Sequence, residues 1–293
     1  MCFMDLSIII VSYNTADLIA SCLNSILTTN IEKEIFLVDN ASNDGIAKVV
    51  RDGFPSVHLV VNQENRGFAA ANNQVLADCR GRYILFLNPD TQVMADTFGN
   101  AISFMDDHPP MGLAGMKIIN PDGTLQESVS YRYPGGKYAK SEMSGLSGRI
   151  ACVLGAGMIA RREIILKTGG FDEDFFLYGE DQDLCLRIRK LGYEIGYIDN
   201  AVVVHLGAQS ERQFTSAERM GKKVKAEYLF YRKHYLQETI ARIRQGDLRK
   251  ARWRIATLKF TMPFAKDKTK VHEKLIKYEV IERELRHGGR RVL

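Results

Sequence analysis

The chain has 293 residues, 45% of them hydrophobic and 26% charged, and a net charge of +5, proportions that give room for one large α/β domain and an appendage. Its five cysteines, Cys2, Cys22, Cys79, Cys152 and Cys185, form no C-x-x-C pair, which argues against a disulfide framework and a zinc site and fits a reducing cytosol. No stretch approaches the ~20 apolar residues needed to span a bilayer, and no basic, apolar and small-residue leader is present, so a cytoplasmic protein is expected.

Charge is unevenly spread. Residues 207–293 hold 23 Lys and Arg against 10 Asp and Glu, leaving 17 against 25 for the first 206. A basic tail suits an acidic or lipid-surface partner, although solvated helix faces produce the same split.

Leu6 to Ser12 is a continuous β-branched run, as expected of a parallel strand covered on both faces. Thr15 is placed to cap a following helix with Leu18, Ile19, Cys22, Leu23 and Ile26 along one face. Strands at Glu34–Asp39 and Val57–Asn62, with a helix from about Gly45 to Asp52 between them, complete a β-α-β-α-β series, and a helix over Ala69–Arg80 leads to a further strand from Tyr83 to Asn88. Such alternation predicts an open, mostly parallel, Rossmann-like sheet with binding groups at the carboxyl ends of its strands. Residues 109–149 are rich in Gly, Pro, Ser and Tyr and read as loops and short strands over that rim, not a separate domain. Leu184–Leu191 reads as a short helix capped by Asp183, and Tyr193–His205 as two strands joined at Asp199-Asn200. Thr215-Ser216-Ala217-Glu218 is a capping box, and a second helix is expected from about Asp247. Its stripe of Leu248, Ala251, Ile255, Leu258 and Met262, flanked by Arg249, Lys250, Arg252, Trp253 and Arg254, suits either a membrane-surface helix or one packed on its own domain. These divisions give a body over 1–207, parted at about residue 110, and a basic helical extension over 208–293.

Four polar groups fall at strand ends: Ser12-Tyr13-Asn14, Asp39-Asn40, Asn65-Arg66-Gly67 and Asn88-Pro89-Asp90. Asp39 suits a ring N–H or a ribose hydroxyl, although its residue type alone favours a local Asx turn or helix cap. Asp90 is placed to ligate Mg²⁺ or Mn²⁺ beside two phosphates, with Asn88 offering an amide oxygen and His205 an imidazole that would favour Mn²⁺. The acids Glu180 and Asp181 offer a general base for an attacking hydroxyl, Asp181 being the choice and Glu180 raising its pKa if both are buried. Gly155 and Gly157 mark either a close passage of backbone past a sugar or tight packing. The G-x-G here lacks a third glycine and strand-to-helix context, and no G-x-x-x-x-G-K occurs, which sets aside a nicotinamide enzyme and a P-loop kinase.

Taken in order, Ile9–Asn14, Val38–Ser42, Asn65–Ala69 with Asn72-Asn73, Phe86–Thr91, Gly170–Glu173 and Glu180-Asp181-x-Asp183 resemble the family-2 inverting glycosyltransferases of GT-A fold. The nearest group looks like the bacterial rhamnosyltransferases, and Tyr231–Tyr235 in the tail is similar to that group too. The resemblance implies that Ser12, Tyr13, Asn14, Asp39, Asn65, Arg66 and Asn88 serve the nucleotide sugar, Asp90 and His205 the metal, Asp181 the base, and Gly157 and Glu180 the acceptor. It implies transfer of rhamnose from dTDP-rhamnose, or of a UDP-sugar such as UDP-galactofuranose, to a saccharide or lipid-linked saccharide in bacterial surface polysaccharide synthesis. It further implies a divalent cation, Mn²⁺ or Mg²⁺, and peripheral attachment at the inner membrane face. No nucleic-acid partner is expected, and homo-oligomerisation stays open. A nucleotidyltransferase, which would show a Gly-rich basic loop where Ser12-Tyr13-Asn14-Thr15 stands, and a non-catalytic carbohydrate-binding protein are the competing readings.

Overall fold

The structure is a computed structural model, which describes residues 4–207, 214–265 and 267–287. The described chain forms two compact units, one of residues 1–133 and 145–210, the other of 134–144 and 211–293. The segment 134–144 thus groups with the C-terminal helices, where the sequence reading drew a single boundary at residue 207.

The first unit is built on an eight-stranded sheet. In chain order it comprises β1 (Leu6–Ser12), α1 (Ala16–Leu27), β2 (Lys33–Asp39), α2 (Ile46–Gly53), β3 (His58–Val61), α3 (Phe68–Asn73), β4 (Tyr83–Leu87), β5 (Thr91–Val93), α4 (Thr97–Asp107) and β6 (Met111–Ile119). A small ribbon of β7 (Val129–Ser130) and β8 (Cys152–Val153) follows, then β9 (Gly157–Arg161), α5 (Arg162–Thr168), α6 (Glu180–Lys190) and β10 (Glu194–His205). The sheet order is β3-β2-β1-β4-β9-β6-β10-β5. All neighbours are parallel except at β9, reversed against both β4 and β6, and at β5, reversed against β10.

The apolar runs explain the order of burial. Every residue of β1 and β4 is buried, and Ile19, Cys22, Leu23 and Ile26 of α1 pack into the same core. Because β1 and β2 pair in register, Ser12 lies beside Asp39 at their carboxyl ends, and Leu87 of β4 lies beside Gly157 at the start of β9. One rim therefore collects the polar ends of β1, β2 and β4 together with the beginning of the reversed β9.

Several elements depart from the sequence reading. The stretch read as loops and short strands contains β6, which at nine residues and mostly buried is longer and more central than that reading. Its glycines made it look like a turn, but Gly115 is a packing device: a Cβ there would lie 2.6 Å from Val153 Cβ. The two strands expected around Asp199-Asn200 are one strand, β10, with a register shift against β6 between Ile198 and Val202 that lets it bend without breaking. Helix α6 starts at Glu180 with Gly179 as its N-cap and no side-chain cap, so Asp183 lies inside the first turn and pairs with Arg187 at 2.7 Å instead of capping.

The second unit contains α7 (Ser216–His234), α8 (Gln237–Thr261), a short 3-10 turn and α9 (Lys268–His287). The capping box forms at α7: Thr215 accepts from the Glu218 amide and Glu218 reaches back to the Thr215 amide. Helix α8 begins ten residues before the expected start. Of its apolar stripe, Ala251 and Leu258 are buried and Leu248 and Ile255 half-buried, alongside Leu275, Val280 and Leu285 of α9. Arg252–Glu282 and Lys259–Glu279 ion pairs, 3.2 and 3.0 Å, link the same two helices. The stripe is consequently core within this unit. The large exposed apolar side chains of α8 and the turn after it are Trp253, Phe260 and Phe264. No helix among the described residues is long and apolar enough to cross a membrane.

Candidate active site

The nucleotide side of the rim is organised by Asn40. Its amide bonds to the Ser12 carbonyl at 2.8 Å, and its side chain, 2% exposed, donates to Asn65 Oδ1 at 2.9 Å and the Gly67 carbonyl at 3.2 Å. The same side chain accepts from Asn62 Nδ2 at 3.1 Å and from the Arg66 amide at 2.9 Å. Asn62 and Gln74 exchange two further bonds, 2.8 and 2.9 Å, behind this cluster. A buried amide with all four positions used is rigid. It fixes the Asn65–Gly67 turn and leaves the Arg66 side chain exposed over the rim.

The other nucleotide-side candidates divide between exposed and inward groups. Ser12 is buried and its hydroxyl bonds Thr15 Oγ1 at 2.6 Å, so Thr15 braces Ser12 instead of capping α1 with its side chain. Tyr13 is half-buried. Asn14 holds φ 53 and its Oδ1 accepts from the Asn43 amide at 2.9 Å, which stitches the loop after β1 to the loop after β2. Asp39 is buried and Oδ1 accepts from the Ser42 amide at 3.0 Å, the local turn the sequence offered as one alternative.

Across the sheet, Asn88, Asp90 and His205 come together. His205 Nε2 lies 3.3 Å from Asp90 Oδ1 and 3.5 Å from Asn88 Nδ2, so the nitrogen end of the Asn88 amide faces the ring. Gln126 fixes the ring: its Nε2 donates to the His205 carbonyl at 2.8 Å and Asn120 Oδ1 at 2.6 Å, leaving Gln126 Oε1 to accept from Nδ1–H at 2.9 Å. That turns Nε2 towards the Asp90 carboxylate, so a nitrogen and an oxygen able to ligate a cation face the same point. Among the described residues no group of three or more His, Cys, Asp or Glu side chains gathers as a metal cluster. Beneath this corner Cys22 Sγ lies 3.7 Å from the Asn88 carbonyl, and burial pushes its thiol up to about 12.

Glu180 and Asp181 occupy the first turn of α6, where the helix dipole favours negative charge. Burial raises both carboxyls: Asp181 to about 6, with the Gln182 and Gly155 amides opposing the shift, and Glu180 to about 8, the Asp181 charge adding to burial. Asp181 Oδ1 accepts from the Gln182 amide at 2.7 Å, while Glu180 Oε2 is buried without a hydrogen-bond partner. A Cβ on Gly155 would lie 4.0 Å from Asp181 Cβ, whereas one on Gly157 would meet Met116 and Val203 in the core. Gly155, not Gly157, is therefore the glycine at the acids. The Asn88 amide bonds the Ala156 carbonyl at 3.3 Å, so residues 155–157 separate the Asp90 corner from Asp181.

A family model described as Glycosyl transferase family 2 matches residues 7–169, which include β1 through α5 and the Asp39 and Asp90 rim. The chain belongs to glycosyl transferase family 2. This glycosyltransferase is 26% identical over 256 residues to an N-acetylglucosaminyl-diphospho-decaprenol L-rhamnosyltransferase of Mycobacterium tuberculosis, covering 77% of this chain and 83% of the relative. It is 26% identical over 186 residues to the poly(ribitol-phosphate) beta-N-acetylglucosaminyltransferase TarS of Staphylococcus aureus, 61% of this chain and 31% of that protein. Among solved structures it is similar to the mannosyltransferase PcManGT of Pyrobaculum calidifontis in complex with GDP-Man and Mn²⁺, with a TM-score of 0.62, 18% identity, and coverage of 96% and 86% of the two chains. TarS 1-349 of S. aureus in complex with UDP-GlcNAc gives a TM-score of 0.55 at 18% identity, covering 97% of this chain and 92% of that one. The mixed sheet is thus the GT-A sheet, as the sequence motifs implied.

The glycosyltransferase has functional neighbours that its motifs alone did not single out. Asn40, Asn62 and Gln126 act through contacts distant in sequence, and only the run of amides in Asp39-Asn40 and Asn62-x-x-Asn65 gave a signal for the first two.

Proposed function

We propose that this glycosyltransferase transfers a sugar, with inversion, from a nucleotide diphosphate donor to a saccharide or lipid-linked saccharide. The observation that carries the reading is the half-buried Asp181 at the start of α6, its carboxyl raised by burial, beside Gly155, whose neighbour Ala156 accepts from the backbone N–H of Asn88. A carboxylate whose pKa is near neutrality takes a proton from an acceptor hydroxyl without being wasted as a strong-acid anion. Asp181 would accept that proton as the hydroxyl oxygen attacks the anomeric carbon from the face opposite the diphosphate. Glu180, mostly protonated at neutral pH, would donate to an acceptor hydroxyl and keep a second negative charge away from Asp181.

On the donor side, Asp39 and the Asn65–Gly67 turn would hold base and ribose, with Ser12, Tyr13 and Asn14 alongside and Arg66 towards the diphosphate. Asp90 and His205 would hold a divalent cation, which supplies charge neutralisation for the departing diphosphate. Gln126 would hold the His205 ring in the orientation that turns Nε2 to the cation. Rhamnose from dTDP-rhamnose is the preferred donor, supported by the rhamnosyl transfer in the mycobacterial relative's name; a UDP-sugar is the second choice. The test is calorimetric titration with dTDP and UDP, each with Mn²⁺ and with EDTA, together with product analysis by NMR. Metal-dependent binding of one nucleotide, abolished in Asp90→Ala, and transfer lost in Asp181→Asn are expected. Asp181→Asn with unchanged turnover would falsify the assignment of the base.

The tail contributes separately. Trp253, Phe260 and Phe264 are 62%, 77% and 82% exposed, and Arg249, Lys250 and Lys259 are exposed around them. Seven residues is about two helical turns, so Trp253 and Phe260 share a face. This second stripe, in place of the inward one, is the surface we assign to an anionic membrane. Co-sedimentation with phosphatidylglycerol vesicles should weaken in a Trp253→Ala, Phe260→Ala, Phe264→Ala variant; equal binding would remove the assignment.

A further inference from the structure

The segment 171–179, which leads into Asp181, is tied to the donor side of the rim by contacts outside the sheet. Asn73, the last residue of α3, donates from Nδ2 to the Phe171 carbonyl at 2.9 Å and accepts at Oδ1 from the Phe171 amide at 2.9 Å. One side chain thereby satisfies both backbone groups of a residue 98 positions away, as a neighbouring strand would. Asn73 Nδ2 also lies 3.0 Å from Glu173 Oε1. Further along, the Phe68 amide donates to the Phe176 carbonyl at 2.9 Å, and Gly67, at φ 82, packs so closely that a Cβ would come within 2.6 Å of that oxygen. The Phe171 ring is wedged edge-on between Phe68 and Phe86, with centroids 5.7 and 4.8 Å away.

Both ends of the segment are conformationally unusual. It is entered through Gly169 and Gly170 and left through Tyr178 at φ 71 and Gly179 at φ 85. A tyrosine in the left-handed region persists only where its surroundings impose it. The direction in which the chain enters α6, and so the position of the Asp181 carboxylate, is set by how residues 171–176 are held.

We propose that Asn73 is a positioning residue for sugar transfer: its paired bonds to Phe171 align the segment that carries Asp181 with the donor-holding turn at Asn65–Gly67. The inference rests on Asp181 being the base. Asn73 touches no reacting group in this role, so its removal should disturb proton transfer more than nucleotide binding, which depends on Asn40 and its partners.

The test uses full-length Asn73→Ala and Asn73→Asp. Nucleotide release from dTDP-rhamnose and from UDP-GlcNAc with Mn²⁺ and an oligosaccharide acceptor gives kcat and KM, dTDP and UDP titrations give Kd, and hydrogen exchange reports on 171–181. For Asn73→Ala, kcat should fall about 10- to 100-fold while Kd changes less than about twofold, as for a reacting group displaced by an ångström or so. The acid limb of the rate profile should move down towards an ordinary aspartate as the carboxyl gains water, and exchange in 171–181 should rise. Asn73→Asp keeps the bond from the Phe171 amide but sets a carboxylate oxygen against the Phe171 carbonyl and Glu173 Oε1, so its kcat should fall at least as far as that of Asn73→Ala. Wild-type kcat in Asn73→Ala, or a parallel loss of kcat and nucleotide affinity with an unmoved acid limb, would overturn the proposal. Undiminished turnover in Asp181→Asn would instead overturn the reading of Asp181 as the base, a result separable from the first because it is read on a different variant.

Discussion

Replacing Asn40 by alanine should cost more stability than any other single change on the rim, because four hydrogen bonds converge on one buried side chain. Three of the partners keep a second bond: Asn65 Oδ1 still accepts from the Gly67 amide, the Gly67 carbonyl from the Ala71 amide, and Asn62 Nδ2 still reaches Gln74. The Arg66 amide does not. At about 0.5–1.5 kcal/mol net for each ordinary bond and 1–3 kcal/mol for a stranded donor, with part of the turn able to take up water, the loss should be about 2–4 kcal/mol. Asn40→Asp offers a sharper comparison. It preserves both acceptor contacts but sets a carboxylate oxygen against Asn65 Oδ1 and the Gly67 carbonyl, so it should be destabilising at pH 7 and less so once protonated. Urea unfolding followed by circular dichroism measures both, and calorimetry with dTDP or UDP should show nucleotide affinity at least about tenfold weaker, 1.4 kcal/mol, as the Asn65–Gly67 turn loosens. A stability change under about 0.5 kcal/mol for Asn40→Ala, the range of an ordinary surface substitution, would refute the idea that this amide organises the rim.

Other outcomes follow from the same structure. Gln126→Ala should weaken Mn²⁺-dependent nucleotide binding about 10- to 100-fold by freeing the His205 tautomer, a second-layer effect read by titrating Mn²⁺ at fixed nucleotide. The rate profile of the wild type should rise through a pKa of about 6, well above an ordinary aspartate, because Asp181, as the proposed base, would act in its ionised form. Glu180 is raised above its unfolded value, so the folded state holds its proton longer and this carboxyl disfavours folding increasingly as pH climbs from the usual glutamate range to about 8. Glu180→Gln should therefore gain stability relative to wild type at pH 8 and lose that advantage near pH 4, checked by denaturant midpoints at the two values. Glu34 behaves oppositely: burial raises its pKa, but the Arg80 amide, Ser7 hydroxyl and Arg80 guanidinium outweigh it and hold the carboxyl low. Its contribution is present above the unfolded pKa and lost as pH falls through the folded one, so Glu34→Gln should cost about 1–3 kcal/mol at pH 7 and less in acid.

Much of this architecture was visible in the residues themselves. Strands β1, β2 and β4 are uninterrupted apolar runs whose only sensible place is inside a covered sheet, and the polar triplets that end them fall at the rim for that reason. Strand β6 was hidden because Gly112 and Gly115 resemble turn residues until the neighbours that need their missing side chains are known. The start of α6 was displaced because Asp183 is a good cap by type, yet the backbone turned at Gly179 and left that carboxylate to Arg187. Asp181 and Asp90 stand out in sequence as candidates by residue type and by their places at a helix start and a strand end. Asn40, Gln126 and Asn73 were not legible as partners, since their roles come from contacts that join residues tens of positions apart. The tail's apolar stripe carried two meanings in sequence, and only the presence of α9 separated core from surface.

The reversed strand in the middle of the sheet has a consequence for how the molecule is made. Strands β3, β2, β1 and β4 lie within residues 6–87 and pair as a parallel block, but the outer edge of β4 is completed only by β9, residues 157–161. Until that strand emerges from the ribosome, the apolar Tyr83–Leu87 edge presents unpaired backbone groups, an invitation to other nascent chains. Chaperone demand should accordingly peak while about seventy residues between the two strands are being synthesised, an interval of roughly 4–15 s at 5–20 residues per second.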